Sequence, residues 1–241
     1  MPFSLTEIEV KRTLQEPGCP LCGIARSTAE RYIRHLLWES VNDEETRRHF
    51  IAGLGYCPDH TRLLASTEVE RHGDALGVNT IYENLVNVIE DRLKTWQPPE
   101  KAGAQNNHSG KARRDATRLA PASVCRVCQI ADQSTNYALK TLLEELEAVP
   151  DDWQPLYSAS DGLCLAHLKE CLQAADRYPV AIRFIHQDAL SRLNRWRKGL
   201  QRYSHKRSWE FRDEPMAENE SHAWKEVLAF FTGQPPGSFE E

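Results

Sequence analysis

The sequence of 241 residues lacks the features that identify several large classes of protein. No uncharged apolar stretch approaches the roughly 18 residues of a membrane-spanning helix, so we expect no membrane association. Residues 1–14 include Glu7 and Glu9 and contain no long apolar stretch, which is not typical of a secretory signal. The net charge of −5 favours neither nucleic acid nor an anionic membrane as a partner. These absences predict a cytoplasmic protein.

Sequence motifs of catalysis are missing as well. There is neither a phosphate-binding glycine loop nor a G-x-S-x-G nucleophile motif. The histidines outside the motifs described below lie at scattered positions with no evident carboxylate partners: His35, His49, His72, His186 and His205. Strand-like alternation of apolar and polar residues is almost absent. The sequence therefore predicts an all-α fold and favours a non-enzymatic role, while leaving an enzymatic activity open.

What the sequence does contain is a metal-ligand pattern that occurs twice. Each copy consists of a C-x2-C motif and a later C-x2-H motif, with 34 residues between them in the first copy and 35 in the second. The eight residues are Cys19, Cys22, Cys57, His60, Cys125, Cys128, Cys164 and His167. Zinc prefers thiolate and imidazole, and four such ligands close its coordination shell. In a reducing compartment this spacing indicates metal rather than disulfides. The pattern predicts two structural zinc ions per chain.

The pairing of the motifs and the identity of the metal leave alternatives. The spacing favours pairing within each copy, and crossed pairing, in which the first C-x2-C shares a metal with the second C-x2-H, stays open. Iron is the competing metal, because a Cys-Pro-x-Cys-Gly sequence also suits iron sites; zinc leads because histidine is a less common ligand of iron–sulfur clusters. Cys171, the seventh cysteine, aligns with Leu64 of the first copy and is expected in the core.

The duplication extends beyond the ligands. Apolar residues three or four apart recur after a shift of 106 or 107 residues, which predicts a helical bundle with a pseudo-two-fold repeat. In each copy we expect the first long helix to begin at the second cysteine of the C-x2-C motif. The predicted repeats span residues 1–96 and 123–212, joined by a flexible linker at 97–122. Residues 213–241 form an acidic tail with one docking helix that ends at Gly233.

Residues 183–212 form the strongest charge feature of the chain. They contain nine basic and two acidic residues, and Trp196, Tyr203, Trp209 and Phe211 interleave with the basic ones, as a surface for stacked bases and phosphates requires. The predicted contacts to nucleic acid are Arg192, Arg195, Arg197, Lys198 and Arg202. The other interpretation is a solvated helix face that the acidic tail partly neutralises.

The duplicated C-P-x-C…Y-C-x-x-H pattern resembles a family of uncharacterised prokaryotic proteins that is known only as a domain of unknown function. The stretch from Tyr203 to Gly233 resembles it too, with a basic-aromatic run, Asp-Glu-Pro at 213–215 and Ala-Trp at 223–224. The second C-x2-C departs from the pattern, since Arg126 stands where the first has proline. The resemblance implies an architecture and no activity.

Together these features predict a non-enzymatic, zinc-stabilised interaction or adaptor protein with an unidentified protein partner. One alternative is a zinc-thiolate redox switch or chaperone-like protein, in which oxidised thiolates release the metal. The other is the nucleic-acid binder described above.

Overall fold

A computed structural model describes residues 4–95, 119–211 and 213–239. Within these ranges the regular structure is helical and contains no strand, which confirms the all-α prediction. The helices are α1 (Leu5–Leu14), α2 (Pro20–His35), α3 (Glu44–Ala52), α4 (Pro58–His72), α5 (Leu76–Lys94), α6 (Arg126–Ala148), α7 (Pro150–Ala159), α8 (Leu165–Leu172), α9 (Pro179–Lys206), α10 (Glu218–Ser221) and α11 (Ala223–Thr232). A π-helical turn (Leu36–Ser40) follows α2, and a 3-10 turn (Pro236–Phe239) follows α11. Among these helices none is long and apolar enough to cross a membrane.

Side-chain caps fix several helix ends. Ser4 and Glu7 form a capping box at the start of α1, a helix that the sequence analysis did not predict. At the start of α3, the Asp43 carboxylate accepts a hydrogen bond from the Thr46 amide at 2.7 Å. At the start of α5, Glu68 accepts hydrogen bonds from two backbone amides, one of them that of Val78. These carboxylates satisfy amides that have no partner within their own helix.

The chain forms two compact units. Unit 1 consists of Met1–Arg26 and Gln133–Glu241, and unit 2 is Ser27–Asp132. Both divisions fall inside a helix, α2 and α6, so the unit boundaries differ from those of the predicted repeats. Most of the predicted linker, 97–122, lies outside the described residues. The duplication itself remains a prediction.

The core of unit 1 contains apolar residues of α1, α6, α7, α8, α9 and α11. Its largest fully buried side chains are Trp153 and Tyr157 of α7. Helix α11 packs against α8 and α9, and the Phe230 ring lies 5.4 Å from the Trp196 ring. The tail helix is therefore part of this core.

The core of unit 2 is centred on aromatic rings. Phe50 meets Tyr56 and Tyr82 edge to face, with ring centroids 5.0 and 5.1 Å apart. Ile81 and Leu64 pack into the same core and are fully buried. Tyr56 directly precedes Cys57, so this aromatic group supports one of the predicted ligands.

Candidate metal centres

The eight predicted ligands form two clusters in the structure. Cluster 1 lies in unit 1 and consists of Cys19, Cys22, Cys164 and His167. Within it the potential ligand atoms all lie within 4.8 Å of one another. The Sγ atoms of Cys22 and Cys164 are 3.7 Å apart, and Nδ1 of His167 lies 3.2 to 3.4 Å from the three sulfurs.

Cluster 2 lies in unit 2 and consists of Cys57, His60, Cys125 and Cys128. The Sγ atoms of Cys57 and Cys128 are 3.7 Å apart. Nδ1 of His60 lies 3.1, 3.6 and 3.3 Å from the sulfurs of Cys57, Cys125 and Cys128. The two clusters thus offer the same ligand types at closely similar separations.

Each cluster joins the C-x2-C of one copy to the C-x2-H of the other. The structure therefore shows crossed pairing, and the within-copy pairing that the spacing favours is not formed. The reason is that both arrangements satisfy the same sequence pattern, and tertiary packing alone decides which motifs meet.

The separations fit a single tetrahedral ion. Bond lengths of about 2.3 Å to sulfur and about 2.0 Å to nitrogen place neighbouring sulfurs about 3.8 Å apart, and sulfur and nitrogen about 3.5 Å apart. A disulfide would bring two sulfurs to about 2.05 Å, and all seven cysteines have free thiols. Both clusters can therefore hold a metal ion.

Two helix N-termini meet at cluster 1. Cys164 is the N-cap of α8, and its carbonyl accepts a hydrogen bond from the Leu168 amide at 2.8 Å. Cys19 directly precedes α2, and its carbonyl accepts from the Gly23 amide at 3.0 Å. The partial positive charge at a helix N-terminus stabilises thiolates. The local backbone thus favours the ionised sulfurs that a metal requires.

Cluster 2 has the same construction from α4 and α6. Cys57 is the N-cap of α4, and the Thr61 amide donates to its carbonyl at 2.9 Å. Cys125 precedes α6, and the Gln129 amide donates to its carbonyl at 3.1 Å. Helices α2 and α6 begin one residue after the first cysteine, earlier than predicted, so each C-x2-C lies on the first turn of a helix.

The protonation equilibria differ between the clusters. In cluster 1, hydrogen bonds from Cys19 and Cys22 hold the pKa of Cys164 well below its usual range. Burial disfavours a charged His167, yet the thiolates of Cys164 and Cys19 outweigh it and raise the pKa of this imidazole to about 10. In cluster 2, burial lowers the pKa of His60 and raises the pKa of Cys128 to about 12. In cluster 1 the hydrogen bond with Cys164 also holds the pKa of Cys22 well above its usual range, so metal binding displaces protons at both clusters.

Helix α11 of the tail ends next to the sulfurs of cluster 1. Gly233, in the left-handed conformation with φ 76°, terminates α11. A Cβ atom at this position would lie 2.5 Å from Sγ of Cys22 and 3.6 Å from Sγ of Cys164. Only glycine allows this approach. Gly233 was predicted only as a helix end, and no sequence signal connects it to the sulfurs.

Arg192, a predicted nucleic-acid contact, is instead a buried structural residue with 8 % exposure. Its guanidinium donates to the carbonyls of Ser160 at 2.7 Å, Ser158 at 3.2 Å and Tyr157 at 3.3 Å, and it pairs with Asp188. These contacts hold the loop between α7 and α8, which leads into cluster 1.

Three other basic residues of α9 form ion pairs with the acidic tail. Arg195 pairs with Glu226 at 3.4 Å. Arg202 and Lys206 pair with the buried Glu220 at 3.7 and 2.6 Å. Two further predicted contacts, Arg197 and Lys198, are exposed. Tail carboxylates thus pair with two of the five predicted contacts, Arg195 and Arg202.

Two of the scattered histidines line one cavity of unit 2. His35 faces Glu39 at 3.4 Å, and His49 faces Glu45 at 3.5 Å, each on the exposed surface. Such exposed pairs contribute little to stability. Cys171 belongs to neither cluster and is fully buried in the core of unit 1, as the sequence analysis expected.

Comparison with known proteins places the chain in a family. The sequence model of a family of unknown function (DUF6062) matches residues 1–236, so the chain belongs to that family. No curated protein and no solved structure matches the chain.

Proposed function

We propose that this member of a family of unknown function binds one zinc ion in each cluster, and that both ions stabilise a fold whose role is to bind another protein. The observation that supports a structural role is the complete ligand set. A catalytic zinc site has three protein ligands and keeps a fourth position for water or substrate. Each cluster here offers four protein ligands.

The ligand types support zinc over iron. Three thiolates and one imidazole form a common structural zinc set, whereas iron–sulfur clusters are held mostly by four cysteines. The 3.7 Å between sulfurs in each cluster fits a single small ion. One zinc ion in each cluster is therefore the occupancy that we propose.

Each ion would connect cysteines that are far apart in the sequence. Cys22 and Cys164 are 142 residues apart, and Cys57 and Cys128 are 71 residues apart. Zinc binding contributes about 10–16 kcal/mol in small zinc peptides, and this energy is available for folding. The metals would thus hold together segments that are distant in sequence.

Exposed apolar side chains around one cavity of unit 2 support the role in binding a protein. Trp38, in the π-helical turn after α2, is 74 % exposed, and Leu76 is 69 % exposed. Both line a cavity of about 340 Å³ together with Glu39 and Asp74. Exposed tryptophan is frequent among residues that dominate binding energy, and π-helical turns are frequent at functional sites. We therefore place the partner at this cavity.

Two matched tryptophans test the proposal. Trp209, on unit 1, is 77 % exposed and lines none of the cavities described in the structure. Affinity capture followed by quantitative binding to the captured protein should give a partner that wild type and Trp209→Ser bind equally. Trp38→Ser should bind it at least tenfold more weakly (a loss of about 1.4 kcal/mol), with unchanged zinc content and melting temperature. Equal affinity of all three proteins would contradict this placement.

A further inference from the structure

We infer that the two clusters have different roles: cluster 2 is the reactive site, where zinc is exchanged and thiolates are oxidised, and cluster 1 is closed. This inference rests on the proposed zinc binding and adds a regulation to it. It follows from three differences between the clusters: the burial of their ligands, the contact of the tail with cluster 1, and the size of the cavity beside each cluster.

The ligands of the two clusters differ in burial. In cluster 1, Cys19 is 6 % and Cys164 is 4 % exposed, and both count among the core residues of unit 1. Cys22 and His167 of cluster 1 are partly exposed, whereas in cluster 2 all four ligands are. Oxidants and chelators must reach sulfur to act, so cluster 2 is the more accessible target.

The C-terminal tail of unit 1 covers the sulfurs of cluster 1. The backbone of Gly233 lies against the sulfurs of Cys22 and Cys164, as shown above. Phe230 anchors this end of α11 in the core with 8 % exposure. The pair between Lys206 and the buried Glu220 fixes the preceding segment of the tail. Removal of zinc from cluster 1 therefore requires the tail to move.

Cluster 2 borders an open and mainly apolar cavity of about 720 Å³. Cys57, Cys125 and Cys128 all line it, next to Val124, which is 66 % exposed. A smaller cavity of about 240 Å³ adjoins cluster 1, but the two cysteines that line it, Cys19 and Cys164, are the buried ones of the six cluster cysteines. A small oxidant or chelator thus has space to approach cluster 2.

The oxidation that this geometry permits is disulfide formation between Cys57 and Cys128, whose sulfurs are 3.7 Å apart. A hydroperoxide such as hydrogen peroxide is the oxidant. One thiolate attacks an oxygen of the O–O bond, forming a sulfenic acid and releasing hydroxide. The second thiolate attacks the sulfenic sulfur and expels a second hydroxide. Sulfur loses two electrons, oxygen gains two, both hydroxides take protons from solvent, and zinc leaves after losing two ligands.

The test is zinc release from the full-length protein, followed with a chromogenic chelator. Two phases of one zinc each are expected, with rates at least tenfold apart. The Cys22→Ser variant, changed in cluster 1, should retain only the fast phase. The Cys57→Ser variant, changed in cluster 2, should retain only the slow phase. With hydrogen peroxide, one zinc should be released, and peptide mass spectrometry should find the Cys57–Cys128 disulfide with Cys22 and Cys164 still reduced.

Substitution of Gly233 tests the contact of the tail with cluster 1, and the same substitution of Gly73 is its control. Gly233→Ala introduces a Cβ 2.5 Å from Sγ of Cys22 and should accelerate the slow phase at least tenfold. Gly73 ends α4 in a similar left-handed conformation, φ 68°, with open space around it. Gly73→Ala should therefore leave both rates unchanged.

Two zinc ions released at one rate, or faster release from cluster 1, would overturn this inference and leave the proposed zinc binding intact. Protein that contains no zinc would overturn both.

Discussion

Six of the seven cysteines lie at helix N-termini, and the seventh lies within a helix. The six precede a helix or occupy its first turn, where the helix dipole favours thiolate. Cys171 lies in α8, one turn after His167, and is fully buried. Position on the helix therefore separates cluster residues from the core residue.

Cys171 gives a prediction for alkaline pH. Burial raises the pKa of its thiol to about 12, above the value of about 8.5 in an unfolded chain. The folded state thus keeps a proton that the unfolded state loses. The stabilisation is complete below pH 8.5 and decreases by about 1.4 kcal/mol per pH unit above it.

The comparison is between wild type and Cys171→Ala. The wild type should be more stable at pH 7, by about 1 kcal/mol, and this advantage should shrink above pH 9 in urea titrations. Both proteins should contain the same amount of zinc. An advantage that stays constant from pH 7 to pH 11 would contradict the assignment of a protonated core thiol.

The sequence predicts individual residues of the clusters better than it predicts how they pair. The eight cluster residues follow from residue type and spacing, because a C-x2-C or C-x2-H motif brings two potential ligands to one turn of the chain. Their pairing does not follow, since 34 and 35 intervening residues are equally compatible with both arrangements. The role of Gly233 also depends on a contact between Gly233 and Cys22, which are 211 positions apart in the sequence.

At the scale of elements, the loop between α7 and α8 shows what charge composition alone leaves out. The run of basic residues in α9 suggested phosphate contacts. Arg192, however, bonds to three carbonyls of this loop and its approach. Charge composition could not show this, because burial of an arginine depends on carbonyls that tertiary structure brings to it. The tail helix predicted to end at Gly233, in contrast, corresponds to α11.

Arg192→Met tests the role of this loop. It removes the hydrogen bonds to the carbonyls and leaves Asp188 buried without its partner, so unfolding free energy should fall by about 3 kcal/mol. Arg197→Met, an exposed position on the same helix, should change it by less than about 0.5 kcal/mol. Zinc loss should be faster from cluster 1 in Arg192→Met only. Equal stability of the two variants in denaturant titrations would contradict the structural role.

At the scale of the whole molecule, the crossed pairing determines which chain segments each proposed metal ion would connect. Cluster 1 combines the N-terminal segment and the C-terminal half of the chain, and cluster 2 lies within the middle segment. Neither observed cluster takes its four residues from a single copy of the pattern. We therefore expect the loss of one cluster to unfold residues from both copies.

The most direct test of this account is elemental analysis of two double variants, with circular dichroism as a control for folding. Cys22→Ser with Cys164→Ser changes cluster 1 alone, so one zinc per chain should remain. Cys22→Ser with Cys57→Ser changes both clusters, so no zinc should remain and most of the helix signal should be lost. The reverse result, one zinc in the second variant and none in the first, would show within-copy pairing and contradict the account.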